Sequence, residues 1–428
     1  MLQRGSFFYV LVGLGSFFLL FLMLNERFGS HLVHQMQPAA AVPNTKQKKI
    51  VPKAQPAKIQ KPVEVLLLPD TAGVKKKREP ASSEKILAQI ISTQRKLISN
   101  EMKGYEYPDG KYNISANKLD DLVMEKNGRP VRSLIVTTWR SGSTFFGDIL
   151  NAHPANYYHY EPLLAFEIVQ VRGPPVAAKA LKWVKDLLNC EYQDLGEYID
   201  YGKPHPWVFS HNTNLWKQCQ AHKGVCYNHK FLSSMCKLFP FQSMKLVRLR
   251  LRIARELLAD EKLAVRIVLL VRDPRGILQS RKHRDWCPSS PDCSDPALTC
   301  ADLVSDYKVA VELLKKYPTR FKVIRYEDLS LDPYKHVEEL YKFYGLNLHP
   351  KTKKFLESHT KANKGGVSST FRNSATAPFH WRTELEFKEV EEIQQFCSTA
   401  MKYWGYVPAT NATHQKEFNP VTNYTLKL

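Results

Sequence analysis

Hydrophobic positions along this chain fall into three regimes. From Ser6 to Leu24 they are nearly continuous: nineteen residues (SFFYVLVGLGSFFLLFLML) carry no charge, with Arg4 before them and Glu26 and Arg27 after. As a helix this run is roughly 28 Å long, about the thickness of a bilayer's hydrocarbon core. A cleaved signal peptide has a shorter apolar stretch and a small-residue cleavage site. The Asn25-Glu26-Arg27 exit offers no such site, so the run predicts an uncleaved signal anchor. From about Gln37 to Glu84 the apolar pattern gives way to Pro, Ala and Lys, a composition that cannot build a core and predicts an extended stem. Near its end, Ile86, Leu87, Ile90, Ile91, Leu97, Ile98 and Met102 recur at helical spacing. That stripe suits either a self-association helix, giving a homodimer through the stem, or a helix packed on the domain that follows.

The third regime begins near Pro130. Strand-like runs at Leu134–Thr138, Arg266–Val271 and Phe321–Tyr326 are interleaved with helical patterns, among them Cys300–Lys316 and His336–Tyr344. Strands alternating with helices predict an α/β domain with a central parallel sheet flanked by helices. The expected organisation is a short cytoplasmic tail (1–5), a transmembrane anchor (6–24), a lumenal stem (25–128), one catalytic domain (129–410) and a C-terminal tail (411–428).

Charge and cysteine usage sharpen this picture. The 62 Lys and Arg residues exceed the 41 Asp and Glu by 21, a surplus that favours polyanionic partners and says nothing about fold. Sequons at Asn113, Asn411 and Asn423 and an even count of eight cysteines fit a lumenal, oxidising compartment with up to four disulfides. A zinc site is the rival reading of the cysteines, but no Cys-x-x-Cys pair occurs. The pairing itself stays open.

The densest chemistry lies in Ser133–Pro154, SLIVTTWRSGSTFFGDILNAHP. A β-branched run ends in the polar loop Arg140-Ser141-Gly142-Ser143-Thr144, and an amphipathic helix follows with Phe146, Ile149 and Leu150 on one face. A strand, a tight loop and a helix start point backbone N–H groups and the positive end of a helix dipole at one spot, which suits an anion. A helix cap needs one hydroxyl; this loop supplies three beside an arginine. It lacks the lysine of a Walker A motif and shows no Mg²⁺-binding aspartate, which argues against a P-loop kinase.

WRSGSTFFG (139–147) resembles the 5′-phosphosulfate loop of Golgi carbohydrate sulfotransferases, especially those acting on the 6-hydroxyl of galactose, GlcNAc or GalNAc. The similarity continues through NAHPANYYHYEP (151–162), VLLVRDPRGILQSR (268–281), FKVIRYEDLSL (321–331) and STFRNSATAPFHWR (369–382), and so covers about 130 to 406. The resemblance implies a P-loop NTPase-like sulfotransferase fold and 3′-phosphoadenosine 5′-phosphosulfate (PAPS) as sulfuryl donor, without a metal. It implies that Arg140, Ser141, Gly142, Ser143, Thr144 and Phe145 bind the 5′ end of the donor. Arg272 and Ser280 would bind its 3′-phosphate, and Arg372, in the loop after Gly365-Gly366, would close over the nucleotide. The acceptor would be a glycan, of keratan or chondroitin type or an N- or O-glycan, at the Golgi membrane, with no role for nucleic acid.

Sulfuryl transfer needs positioning, charge stabilisation and an acceptor for the hydroxyl proton. Arg140 is the expected catalytic cation. Glu161, aligned on the family's Glu-Pro, is the expected base, with burial among aromatics raising its pKa; the alternative is a glutamate that only braces the turn before Pro162. His153 and His159 are competing bases, His153 reading better as a helix stop. Asp273 and Arg275 read equally as helix-end charges. Trp183, Trp207, Trp216 and Trp286 suit either core or sugar contacts and are left unassigned. A membrane-anchored glycosaminoglycan-binding protein without catalysis would explain anchor and charge, but not the clustered loop.

Overall fold

Five short runs of buried backbone build one sheet: β1 (Val131–Val136), β2 (Asn156–Tyr160), β3 (Phe241–Leu246), β4 (Arg266–Val271) and β5 (Phe321–Arg325). In this computed structural model, which describes residues 83–427 apart from 111–113, 223 and 367–368, they lie in the order β2-β3-β1-β4-β5. Every pairing is parallel, with Val131 opposite Phe241, Ser133 opposite Arg266, Asn156 opposite Phe241 and Ile267 opposite Phe321. A parallel sheet must be covered on both faces, and β1, β3 and β4 are buried at every position. From central β1 the chain moves out to edge strand β2, returns through β3, and only then crosses to β4 and β5. The loops leaving β1 and its neighbours therefore part at the carboxyl ends of the strands, where such sheets open a crevice.

The covering helices start on legible signals. We label α1 (Ser83–Glu101), α2 (Ser143–Asn151), α3 (Val176–Leu188), α4 (Leu251–Ala259), α5 (Pro274–Lys282), α6 (Pro296–Lys316), α7 (Pro333–Tyr344) and α8 (Phe387–Trp404). Asp273, Asp295 and Asp332 each precede a proline at the first helical position and accept backbone N–H bonds from the first turn. That is why α6 and α7 begin a few residues before the apolar periodicity does. Helices α6 and α8 pack together, joined by Cys300–Cys397. The remaining cysteines pair as Cys190–Cys236, Cys219–Cys226 and Cys287–Cys293, leaving no free thiol for zinc. Closing a sequence separation of 97 residues, Cys300–Cys397 contributes about 4–5 kcal/mol in a chain-entropy account.

Two expected boundaries move. The anchor over 6–24, most of the stem and Asn113 lie outside the described residues; within them, no helix is long and apolar enough to cross a membrane. The end of the stem, however, belongs to the folded unit. Ile90 and Ile98 of α1 and Met102 just after it enter the main core, and Arg95 pairs with Glu125 at 2.6 Å. All of the stripe that offered a self-association surface except Leu97 thus packs on its own domain. The last residues are not a tail either. Asn411 caps a helix at Ala412–Glu417, Tyr406 bridges Val421, and Arg325 Nη1 donates to Thr422 O at 2.7 Å. Asn411 and Asn423 are exposed.

Adjacent residues of α1 test this packing. Ile98 is 2% exposed and Leu97 49% exposed. Ile98→Ala is expected to cost about 2–5 kcal/mol in chemical denaturation, whereas Leu97→Ala stays within about 0.5 kcal/mol.

Candidate active site

The loop after β1 is held from beneath. The Thr137 hydroxyl donates to Leu270 O (2.6 Å) and lies 2.7 Å from the Ser141 hydroxyl, which donates to Thr138 O (2.9 Å). Arg281, fully buried, donates to Thr138 Oγ1 (2.7 Å), Trp139 O (3.3 Å), Cys293 O (2.7 Å) and Thr299 Oγ1 (2.9 Å). Burial is the chief cause that lowers its pKa, to about 9, which still leaves it charged at neutral pH. Arg272 Nη1 donates to Arg140 O (2.7 Å), and its guanidinium lies 4.9 Å over the Tyr326 ring.

So gripped, Arg140 takes a left-handed φ of 63°, a conformation that costs a side-chain-bearing residue roughly 1–3 kcal/mol and persists only where surroundings dictate it. Gly142 follows at φ 87°, and a Cβ there would stand 2.2 Å from Tyr326 Cδ2. Gly142 is also the N-cap of α2, and no side chain caps that helix. The hydroxyls of Ser143 and Thr144 are therefore not used as caps, and the first-turn N–H groups of α2 have no intrahelical partner.

A cleft of about 1060 Å³ opens over this loop. It is lined by Arg140, Gly142, Ser143, Thr144, Phe145, Glu161, Arg272, Ser280 and Arg372, so nine of the ten expected site residues share one cavity. Arg140 Nε donates to Ser280 Oγ at 2.9 Å, which joins the two separated motifs directly. Ser141 is the exception: its side chain faces the sheet and braces the loop. Arg372 bonds the carbonyls of Gly366 (2.8 Å) and Phe371 (2.9 Å), folding its own loop beside the cleft. Burial lowers the Arg140 pKa to about 10, with Arg284 and Arg272 adding to the effect.

Glu161 sits at the end of β2 with a φ of 39°. Burial alone pushes its carboxyl up, as the sequence led us to expect. Lys245 Nζ at 2.9 Å and Arg248 Nη1 at 2.9 Å outweigh it and hold the pKa at about 2. The group is thus a permanent carboxylate between two cations, not a carboxyl poised near neutrality. His153 and His159 are buried, and desolvation drives both to about 3. His153 Nδ1 accepts from Ala155 N (3.1 Å), ending the loop helix as its sequence suggested. Asp273 and Arg275 form a buried pair at 2.7 Å, and Arg275 also bonds Val407 O (2.9 Å), so they brace the α5 start.

Lys245 and Arg248 went unrecognised in the sequence. Lys245 is a buried lysine on a central strand whose ammonium reaches Glu161, donates to Thr144 Oγ1 at 3.1 Å and lies 3.8 Å over the Tyr160 ring. It couples the anion-facing loop to the carboxylate. A signal was present: Lys245, Arg248 and Arg250 punctuate the otherwise apolar run MKLVRLR (244–250).

Residues 130–405 match the family of sulfotransferase domains, and the chain belongs to that family. It is a sulfotransferase, an enzyme whose similar relatives act on carbohydrate by name. Carbohydrate sulfotransferase 5 of Mus musculus is 27% identical over 341 residues, covering 68% of this chain and 85% of the relative. Carbohydrate sulfotransferase 6 of Homo sapiens is 27% identical over 332 residues, covering 67% and 83%. Among solved structures, a mouse sulfotransferase complexed with PAP aligns over 75% of this chain and 90% of its own, at 10% identity and a TM-score of 0.34. The sulfotransferase domain of the Synechococcus PCC 7002 olefin synthase aligns over 63% and 94%, at 14% identity and a TM-score of 0.33.

The Lys245–Glu161 pair predicts a pH signature. A carboxyl held at about 2 stabilises the fold above its ordinary range and loses that contribution only as pH falls toward 2. In Lys245→Gln burial is less opposed, so the Glu161 pKa rises toward its ordinary value, and the stability lost on acidification becomes smaller and is complete at a higher pH. Carboxyl-carbon NMR titration of Glu161, with melting curves between roughly pH 2 and pH 7, checks both statements.

Proposed function

We propose that this enzyme transfers a sulfuryl group from PAPS to the 6-hydroxyl of a galactose or N-acetylhexosamine in a glycan or proteoglycan chain. The observation that carries the reading is the 2.9 Å bond between Arg140 and Ser280, together with the 2.7 Å bond from Arg272 to the Arg140 carbonyl. Two segments about 130 residues apart thereby form one cationic, hydroxyl-rich floor. Its charge and donors suit a nucleotide with a phosphate at either end of the ribose: Arg140, Thr144 and the first-turn N–H groups of α2 hold the 5′ end, and Arg272 and Ser280 the 3′ end.

In the reaction, the sugar hydroxyl oxygen forms a bond to sulfur while the bond from sulfur to the 5′-phosphate oxygen breaks. Adenosine 3′,5′-bisphosphate leaves, and the hydroxyl proton is released. Arg140 stabilises the charge that grows on the leaving oxygen, and Lys245 stands beside Thr144 to balance charge on the moving group. Glu161, ionised at all lumenal pH values, accepts a hydrogen bond from the incoming hydroxyl and orients it. With so low a pKa it holds the proton only in passing, before solvent takes it. Lysine and arginine supply here the positive charge that Mg²⁺ supplies to nucleotide kinases.

The enzyme would work in the Golgi lumen, single-pass and type II, anchored by residues 6–24. Four disulfides and exposed sequons at Asn411 and Asn423 support an oxidising, glycosylating compartment.

Incubating the full chain with labelled PAPS and a panel of desulfated glycans, then mapping the labelled position, tests the reading. Arg140→Ala and Arg272→Ala are each expected to lower transfer by about 10²–10³ or more with the domain still folded. Full transfer in either variant, or label on another hydroxyl, contradicts it.

A further inference from the structure

The four tryptophans of the middle region separate cleanly once their surroundings are seen. Trp183 is buried in the main core, and Trp216 packs partly buried against it. Trp207 and Trp286 are 43% and 39% exposed. Single exposed apolar side chains are normal on a surface. Yet of the seven large hydrophobic side chains exposed among the described residues, only these two line the cleft.

Both rings are held rather than loose. Trp286 meets the buried Trp139 edge-on, with centroids 6.1 Å apart. Trp139 belongs to a small separate core with Val247 and the Cys287–Cys293 disulfide, and Cys287 is the residue after Trp286. On another wall, Trp207 opens a one-turn helix and meets the His205 ring at 4.9 Å. His205 is in turn stacked on Tyr201 at 4.1 Å, its Nδ1 lying 2.8 Å from Tyr201 O. Large rigid rings that present a face to a cavity lose little entropy on binding, the arrangement a recognition surface needs.

Their connections point to the Glu161 end of the cleft. The Arg248 guanidinium that bonds Glu161 lies 5.4 Å over the Trp139 ring bracing Trp286. Tyr201, which supports the Trp207 wall through His205, feels the charges of Glu167, Arg248 and Glu161. A flat ring face, a carboxylate and a guanidinium group thus line one cleft. A pyranose matches that combination: its C–H face packs on an aromatic ring while its hydroxyls reach charged groups.

We propose that Trp207 and Trp286 are stacking walls for the hexopyranose rings of the acceptor glycan and determine how tightly the acceptor is held. The sulfuryl-transfer reading supplies the identity of that glycan, and the inference rests on it to that extent.

The test uses the full chain with desulfated keratan- and chondroitin-type oligosaccharides. Three quantities are measured for Trp207→Ala, Trp286→Ala and the matching Phe variants: acceptor KM, direct oligosaccharide binding by saturation-transfer NMR, and adenosine 3′,5′-bisphosphate affinity by calorimetry. Each alanine variant is expected to raise acceptor KM and weaken oligosaccharide binding by about tenfold, with nucleotide affinity unchanged. The Phe variants should recover most of the loss, which a merely unfolded variant would not. Unchanged acceptor KM and binding in both alanine variants overturns the proposal, as does weakened nucleotide binding with an unaltered acceptor, which would make the rings a nucleotide platform. Failure of the functional reading is separate. Tryptophan-dependent oligosaccharide binding without any sulfuryl transfer leaves the walls standing, whereas transfer with tryptophan-independent KM removes them alone.

Discussion

The turn from Thr137 to Gly142 exists because guanidinium groups hold its carbonyls. Arg281 bonds the backbone at Trp139, Arg272 bonds it at Arg140, and the Thr137 and Ser141 hydroxyls tie its ends together. These contacts make a left-handed arginine tolerable, and that conformation turns the Arg140 side chain toward Ser280. A loop closed by apolar packing would have no reason to keep it. The rest of the site follows: α2 starts just after its N-cap Gly142 with its first turn lining the cleft, and Tyr326 fills the space that a larger residue at 142 would need.

That solution concentrates positive charge. Arg140, Lys245, Arg248, Arg272 and Arg281 all lie at the carboxyl ends of the strands or in the segments just beyond them, and Glu161 is the carboxylate that neutralises two of them. Buried charges are tolerated only when their hydrogen bonds are satisfied, and here backbone carbonyls carry much of that burden. Arg281 and Arg248 spend their donors on protein atoms. Arg272 Nε has no partner among the described residues. A doubly phosphorylated nucleotide would complete this arrangement electrostatically, which is why a polyanionic ligand and this loop belong to one design.

Much of this was legible from residues alone, and the rest was hidden for physical reasons. Strands β1, β4 and β5 showed as β-branched runs, and the loop after β1 announced itself by crowding three hydroxyls, a glycine and an arginine between a strand and a helix. Strands β2 and β3 did not, since Asn156, Gln242, Ser243 and Lys245 are buried polar residues in a sheet. They are tolerated because they bond one another or nearby groups: Asn156 reaches Ser243 at 2.7 Å, Arg132 reaches Gln242 at 3.3 Å, and Lys245 reaches Glu161. Tertiary pairing overrode strand propensity, and the residues it hid include the two cations that reset Glu161. The same blindness misjudged that carboxyl, since burial was visible from neighbours in sequence and the ion partners, more than eighty residues away, were not. The stem boundary failed differently: a helix stripe says that something will cover it, never what.

A crystal structure of the chain with adenosine 3′,5′-bisphosphate tests the central claim most directly. The account predicts the 5′-phosphate against the N–H groups of residues 142–145 beside Arg140, and the 3′-phosphate against Arg272 and Ser280. A nucleotide bound elsewhere, or one whose 3′-phosphate makes no contact with Arg272 or Ser280, would contradict it.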